Sequence, residues 1–313
     1  MKIYFDYNQI LPKGSVITLG NFDGFHRGHQ RILRETIAKA KMMGLPALVM
    51  TFNPHPRQFF GFDMPIITPI AQKLSLLKEA GANIVLIQPF SNAFAAISPS
   101  RFIEEILIAA LGCQHVVVGY DYSFGKDGAG DTLLLRELSG MHGIGCDIIQ
   151  PVQYEGEIIS SSGIREYLAQ GNVEKAAQYM GRPFAIRGRV SSGAGRGKSL
   201  GFPTANLYPA SAAALPAFGV YLVCAATGGR KYWGVANIGC HPTFPGGDIS
   251  LEVFLLEFSG NLYDSLLEVT FFKQIRPERK FPDSASLSMQ LRQDVNFAKT
   301  LLARDNMLKL HRI

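Results

Sequence analysis

Long apolar runs are absent from the 313-residue chain, and none approaches the ~20 residues that a membrane-spanning helix requires. The first residues, Met1 to Asp6, lack the apolar segment and cleavage site of a secretory signal. Cysteine is scarce: Cys113, Cys146, Cys224 and Cys240 stand far apart with no C-x-x-C pair. That excludes a disulfide framework and leaves four incidental thiols of a reducing cytosol. Charge is thin as well, at 18% of residues and a net +6. The Lys and Arg residues are scattered, without the basic helix or arm that nucleic-acid binding demands. A positive surplus of this kind favours anionic ligands, nucleotides among them. The expectation is a cytoplasmic protein with small-molecule partners and neither nucleic acid nor membrane, its oligomeric state left open.

What is present is a core. Hydrophobic residues make up 47% of the chain, enough to exclude disorder, and the length exceeds what one core usually serves. Up to about residue 180, apolar runs at 16–19, 47–52, 84–88, 115–119 and 146–150 alternate with helical patterns at 29–43, 70–80, 99–111 and 133–142. Ser98-Pro99 supplies a cap and a first-turn proline for the third of these helices. Such alternation predicts an α/β fold, a parallel sheet with helices on both faces. A further helix is expected at 172–180, and the texture changes at Gly181-Arg182-Pro183. Beyond it, runs at 184–190, 219–226, 232–237, 249–258 and 266–273 are strand-like, with no helix until 286–304. That predicts a small antiparallel β-barrel with a closing helix. The expected domains are residues 1–182 and 183–313.

Two glycine-bearing stretches look built for phosphate. The first is Gly20-Asn21-Phe22-Asp23-Gly24-Phe25-His26-Arg27-Gly28-His29, directly after an apolar run. A glycine turn between strand and helix brings backbone N–H groups and the positive helix end to an anion. His26 and His29, three apart, would stabilise charge on phosphoryl oxygens, and Asp23 would orient a histidine or hold magnesium. The alternatives are a zinc pair, disfavoured for want of a third His or Cys nearby, or two plain surface histidines. This segment resembles the nucleotidyltransferases that join a nucleoside monophosphate to a phosphate acceptor. Thr51-Phe52-Asn53-Pro54-His55-Pro56, the loop Asp121-Tyr122-Ser123-Phe124-Gly125, and Ser160-Ser161-Ser162-Gly163-Ile164-Arg165 narrow the match. Together they resemble the FMN adenylyltransferase half of bacterial bifunctional riboflavin kinase/FAD synthetases. The resemblance implies a Rossmann-like domain that binds nucleotide and flavin through Gly20, Asn21, Phe22, Asp23, Gly24, Gly28, Asn53, His55, Asp121, Gly125, Ser161, Ser162 and Arg165. Ser123 and Gly128 stand where that family often carries arginine, and S-S-S-G-I-R stands for its usual S-S-T-x-I-R. Phe52, Phe59, Phe60, Tyr122 and Phe124 are candidates to stack on a flavin ring.

The second stretch runs from Gly193 through Gly195 and Lys198 to Gly201-Phe202-Pro203-Thr204-Ala205-Asn206. It lacks the G-K-S/T ending of a Walker loop. Thr204 and Asn206 alternate, so both point to one face of a strand, where a hydroxyl and an amide oxygen could hold the Mg²⁺ of MgATP. The glycines would wrap phosphates with backbone amides. G-F-P-T-A-N resembles the flavokinase (riboflavin kinase) family, which implies nucleotide or flavin binding at Gly193, Gly195, Lys198, Gly201 and Pro203. Phosphorylating an alcohol also needs a proton acceptor. Glu252, on an otherwise apolar strand, is costly there unless paired or used. It matches the family's catalytic glutamate, downstream of an N-I-G-x-x-P-T-F segment that begins at Asn237. Glu257 is expected to be solvated. Arg276 and Arg279 are either part of a flap over the substrates or surface charge.

The expectation is therefore phosphorylation of riboflavin to FMN by ATP, then transfer of AMP from a second ATP to FMN, giving FAD and pyrophosphate. Mg²⁺ is the implied cofactor, with riboflavin, FMN and ATP as substrates. The alternatives are a kinase with a weak or silent adenylyltransferase domain, or a flavin-binding regulator.

Overall fold

The computed structural model describes residues 1–9, 14–191, 201–209, 212–240 and 249–304. By packing, the chain divides into two compact units, Met1–Ser161 and Ser162–Ile313.

The first unit is built from β1 (Lys2–Tyr4), β2 (Ser15–Leu19), α1 (Arg27–Met43), β3 (Ala47–Asn53), α2 (Pro56–Phe59), α3 (Ile70–Glu79) and β4 (Ile84–Pro89). There follow α4 (Asn92–Ala95), α5 (Pro99–Arg101), β5 (Cys113–Gly119), α6 (Thr132–Met141), β6 (Gly145–Ile149) and the small hairpin β7 (Gln153–Tyr154) and β8 (Glu157–Ile158). Six strands pair in the order β1-β4-β3-β2-β5-β6, every neighbour parallel. Alternate residues of the central strands feed opposite cores. Ile17, Leu48, Met50 and Leu86 meet Phe102, Ile103, Ile106 and Leu135, while Val49 and Val85 meet Leu33 of α1 and Leu77 of α3. Burial on both faces is why these strands read as unbroken apolar runs.

From β2 the chain steps outward through β3 and β4, then returns to lay β5 and β6 on the other side. The direction therefore reverses between β2 and β5, where open α/β sheets take their ligands beyond the carboxyl ends of the strands. The sequence patterns missed β1 and the hairpin, which are too short for a periodic signal. They also predicted an ordinary helix over 99–111. After α5, capped by Ser98, Phe102–Ala110 instead widens into a π-helix, with Leu111 N–H donating to Ile106 O. Its buried residues, Phe102, Ile103, Ile106 and Leu107, stay on one face at that wider spacing.

The second unit begins with α7 (Ser161–Ala169) and α8 (Val173–Met180), then β9 (Phe184–Arg189), β10 (Ala205–Leu207), β11 (Gly219–Thr227), β12 (Arg230–Cys240), β13 (Ile249–Leu255), β14 (Leu266–Pro277) and α9 (Ser284–Arg304). A division after residue 182 and the packing division after Ser161 differ by these two helices. Lys273 on β14 pairs with Glu174 on α8 at 3.0 Å. The strands run β10-β13-β12-β11-β14-β9, all antiparallel. A bridge from Ser191 N–H to Asn206 O (2.9 Å) joins the end of β9 back to β10, closing the barrel. Tyr221, Val223, Ala236, Leu251 and Val253 are buried. On the opposite side of the same strands, Val220, Leu222, Trp233, Val235 and Phe254 pack beneath Val295, Ala298 and Leu301 of α9. Arg276 fastens that helix by gripping Asp294, with Nε 3.0 Å from both carboxylate oxygens and Nη2 2.9 Å from one.

Candidate active sites

The loop leaving β2 is strained and tied down. Phe22 (φ 49°) and Phe25 (φ 36°) occupy the left-handed region, which costs a side-chain-bearing residue on the order of 1–3 kcal/mol. Both rings are buried in the core, so packing holds the turn. Its carbonyls are anchored inward. Asn21 O accepts from Lys73 Nζ (2.7 Å) and Thr51 Oγ1 (3.1 Å), and Asp23 O accepts from Ser161 Oγ (2.8 Å). Across a trans peptide the next N–H points the other way, so those of Phe22 and Gly24 turn outward from these anchors.

His26 caps α1, its Nδ1 accepting from His29 N–H at 3.4 Å. The two imidazoles stack with centroids 3.7 Å apart, and Phe22 sits 5.2 Å from His29. Gly28 gives the His26 ring room, since a Cβ there would lie 3.0 Å from His26 Cε1 and press on the ring. The pair thus stands at the positive end of a 17-residue helix, beside the sheet's switch point. Among the described residues no three His, Cys, Asp or Glu side chains converge as a metal site.

Asp23 is 2% exposed. Its oxygens accept from Thr68 N–H (2.9 Å) and Ile67 N–H (3.2 Å), so it braces the loop from below. Beneath it Lys73 is 5% exposed. Burial pushes that ammonium down to about 8, against the opposing attraction of Asp23. Lys73 was missed in the sequence, although its place in the buried stripe with Leu77 was a signal.

Asn53 and His55 follow β3, the strand beside β2. Asn53 is exposed, and His55 caps α2 by accepting from Arg57 N–H at 3.2 Å. Phe52, Phe59, Phe60 and Phe90 form edge-to-face pairs at this end of the sheet. Asp121 and Gly125 follow β5, the other neighbour of β2. Tyr122 and Phe124 stack at 5.9 Å, Phe124 buried in the core and Tyr122 half-buried against it. Ser123 and Gly128 are exposed. Ser162 and Arg165 lie on α7, in the second unit.

In the barrel, register brings together what the sequence separates. Glu252 is the cross-strand partner of Asn206 on β10 and of Asn237 on β12. Asn237 is in turn opposite Val220, and Val220 opposite Arg276. Directly paired residues share a face with Cβ atoms ~5 Å apart, so Asn206, Glu252 and Asn237 form one polar row. It lies on the face that α9 covers further along. Asn206 is 7% exposed, and its Nδ2 donates to Thr204 O at 3.3 Å, so the amide oxygen is the atom that could hold a cation. Gly201 and Pro203 are exposed just before β10. Gly193, Gly195 and Lys198 lie outside the described residues.

Glu257 is exposed in a turn (φ 57°), as expected. Arg276 is held by Asp294 of α9. Arg279 donates to Gln290 and stacks on Phe281. Asn237 was missed as a site residue, because its N-I-G segment was used only to locate Glu252.

Residues 8–163 match the FAD synthetase family, and residues 180–302 match the riboflavin kinase family. A bifunctional riboflavin kinase/FMN adenylyltransferase of Pseudomonas fluorescens is 38% identical over 293 residues, covering 93% of this chain and 94% of the relative. The protein of that name from Bacillus subtilis is 37% identical over 287 residues, 90% of each chain. Among solved structures, a Streptococcus pneumoniae protein described as a macrolide-efflux protein superposes with a TM-score of 0.87. It is 32% identical, over 95% of this chain and 98% of that one.

Proposed function

The chain belongs to the bifunctional riboflavin kinase/FMN adenylyltransferase family, and we propose how its residues divide the two reactions. Residues 183–313 carry the kinase and residues 1–182 the adenylyltransferase. In the kinase, the 5′-hydroxyl oxygen of riboflavin attacks the γ-phosphorus of ATP while Glu252 accepts the hydroxyl proton. The bond from that phosphorus to the bridging oxygen breaks, and ADP leaves. The observation that carries the assignment is the row Asn206–Glu252–Asn237: a carboxylate between two amides, on a strand otherwise given to packing.

Thr204 and Asn206 would hold Mg²⁺ through a hydroxyl and an amide oxygen. Two neutral oxygens suit a hard cation whose remaining ligands are phosphates and water, so the donor set fits. When bound, the ion supplies charge neutralisation on the phosphates. Gly193, Gly195, Lys198, Gly201 and Pro203 enclose the nucleotide.

In the adenylyltransferase, a phosphate oxygen of FMN attacks the α-phosphorus of a second ATP. The bond to the pyrophosphate oxygen breaks and pyrophosphate leaves. The attacking group is already an anion, so no base is needed and catalysis rests on positioning and charge stabilisation. His26 and His29 donate to the phosphoryl oxygens, aided by the helix end. Gly20, Asn21, Phe22, Gly24 and Gly28 shape the phosphate loop, which Asp23 braces and Ser161 ties. Asn53, His55, Asp121, Gly125, Ser162 and Arg165 contribute to nucleotide or flavin. The enzyme works in the cytoplasm on small molecules, without nucleic acid or membrane. Among the described residues no helix is long and apolar enough to cross one.

The test is an incubation of the purified chain with riboflavin, ATP and Mg²⁺, with flavins separated over time. FMN first and FAD later is expected. FMN without FAD would leave a kinase with a silent partner, and bound riboflavin without product would leave a flavin-binding regulator.

A further inference from the structure

The kinase face holds a second carboxylate. β14 ends at Pro277, opposite Gly219, and the next residue, Glu278, donates its N–H to Phe218 O at 3.3 Å. Its side chain turns over β12. A Cβ placed on Gly239 would lie 2.6 Å from Glu278 Oε1 and 3.3 Å from Asn237 Nδ2. The carboxylate therefore occupies the space in which any other residue at 239 would set its side chain. Gly239 has an ordinary φ, so close approach rather than backbone conformation is what requires glycine.

The two arginines that flank Glu278 in sequence are engaged elsewhere, Arg276 with Asp294 and Arg279 with Gln290. Among the described residues no cation pairs with Glu278. Opposite Gly239 in register is Ser250, fully buried, whose Oγ has no partner among the described residues. Carboxylate, amide and hydroxyl thus gather two residues along the strands from Glu252, on the same face.

The distances decide what these groups can serve. The proposed cation ligands are on β10, two strand spacings from β12. At ~4.8 Å per spacing and ~3.4 Å per residue along a strand, Gly239 lies on the order of 10 Å from Asn206. One Mg²⁺, with ligands at ~2.1 Å, cannot bridge that gap. If Glu252 is the base, the nucleotide and its cation approach from the β10 side, and the alcohol from the β12 side, where Glu278 is.

We propose that Glu278, with Asn237, is the specificity element of the kinase. It accepts hydrogen bonds from the secondary hydroxyls of the sugar-alcohol chain that carries the reactive 5′-hydroxyl. This rests on the kinase reading of the Glu252 row. A carboxylate and an amide donor match vicinal hydroxyls, each of which both donates and accepts, and an apolar chain would leave the carboxylate without donors.

The experiment compares riboflavin with a flavin whose chain is 5-hydroxypentyl, which keeps the terminal alcohol and lacks the secondary hydroxyls. In the full chain, kcat/KM should favour riboflavin by about tenfold or more, the worth of a charged hydrogen bond. Glu278→Ala should collapse that preference by losing rate on riboflavin alone, through KM, with the KM for ATP unmoved. Gly239→Ala, which displaces the carboxylate, should do the same. A preference that survives both variants overturns the proposal. So does Glu278→Gln losing kcat equally on both flavins, which would make Glu278 the base. Glu252→Gln, assayed alongside, tests the base separately: its normal turnover would sink that assignment whatever the flavin preference shows.

Discussion

Lys73→Met tests the buried lysine quantitatively. Lys73 is 5% exposed and its pKa is lowered to about 8, mainly by desolvation, with Asp23 opposing. In the unfolded chain an ordinary lysine titrates near 10.5. Between those values the unfolded state binds more protons than the folded one, so stability must rise with pH across that window. At 1.36 kcal/mol per pKa unit, the full span is about 3 kcal/mol, of which about 2 kcal/mol falls between pH 7.5 and 9.5. Below pH 8 the folded protein carries a charged ammonium at that net cost, in which the attraction of Asp23 is already counted. Other groups titrate with the opposite sign. Burial pushes the Cys113 thiol up to about 12, and stability from that group is lost as pH rises from 9 towards 12.

The difference between wild type and Lys73→Met, taken at each pH, cancels those common contributions. The assay is urea unfolding followed by circular dichroism. Trp233, the one tryptophan, belongs to the barrel unit, so its fluorescence identifies the transition that does not concern Lys73. Wild type should gain about 2 kcal/mol on the variant between pH 7.5 and 9.5. A difference that is flat in pH would refute the argument, because a lysine that keeps its ordinary pKa is not desolvated. FAD formation should also fall in the variant, since Asn21 loses an anchor.

Glu252→Gln should reduce FMN formation by about 10²–10⁴-fold and leave FAD synthesis from supplied FMN intact; loss of both activities together would contradict separate sites. His29→Ala should spare riboflavin phosphorylation and lower FAD formation by about 10²–10³-fold, and a normal FAD yield would remove it from the site. Arg276→Met leaves Asp294, 2% exposed, with only the Gln290 amide beside it among the described residues. The barrel unit should lose about 3–5 kcal/mol, read from Trp233 fluorescence in urea, and an unchanged midpoint would mean the pair does not hold α9.

The architecture was legible because its signals are local. Strands buried on both faces are apolar over most of their length, as in 47–50 and 84–87, and the cap at Ser98 marks a helix start. The phosphate loop was legible for the same reason. Gly20 to His29 is contiguous, and Gly28 stands close beside the His26 ring. The bracing beneath the loop was not legible. Asp23 meets amides at Ile67 and Thr68, and Lys73 meets Asn21 O, through contacts that only the folded sheet creates. A carboxylate between glycines therefore reads as a functional group in the sequence, while the amides it also meets come into view only in the fold.

The barrel shows the limit more sharply. Asn206, Asn237 and Glu252 belong to three strands, and nothing in their spacing relates them. Antiparallel register does, and a slip of one residue would turn the whole row to the other face. The bridge from Ser191 to Asn206 therefore contributes twice. It closes the cylinder, and it helps hold β10 against slipping past Glu252. On the proposed assignment, barrel closure and kinase chemistry meet at Asn206, so a change that loosens the bridge should weaken FMN formation before it unfolds the unit.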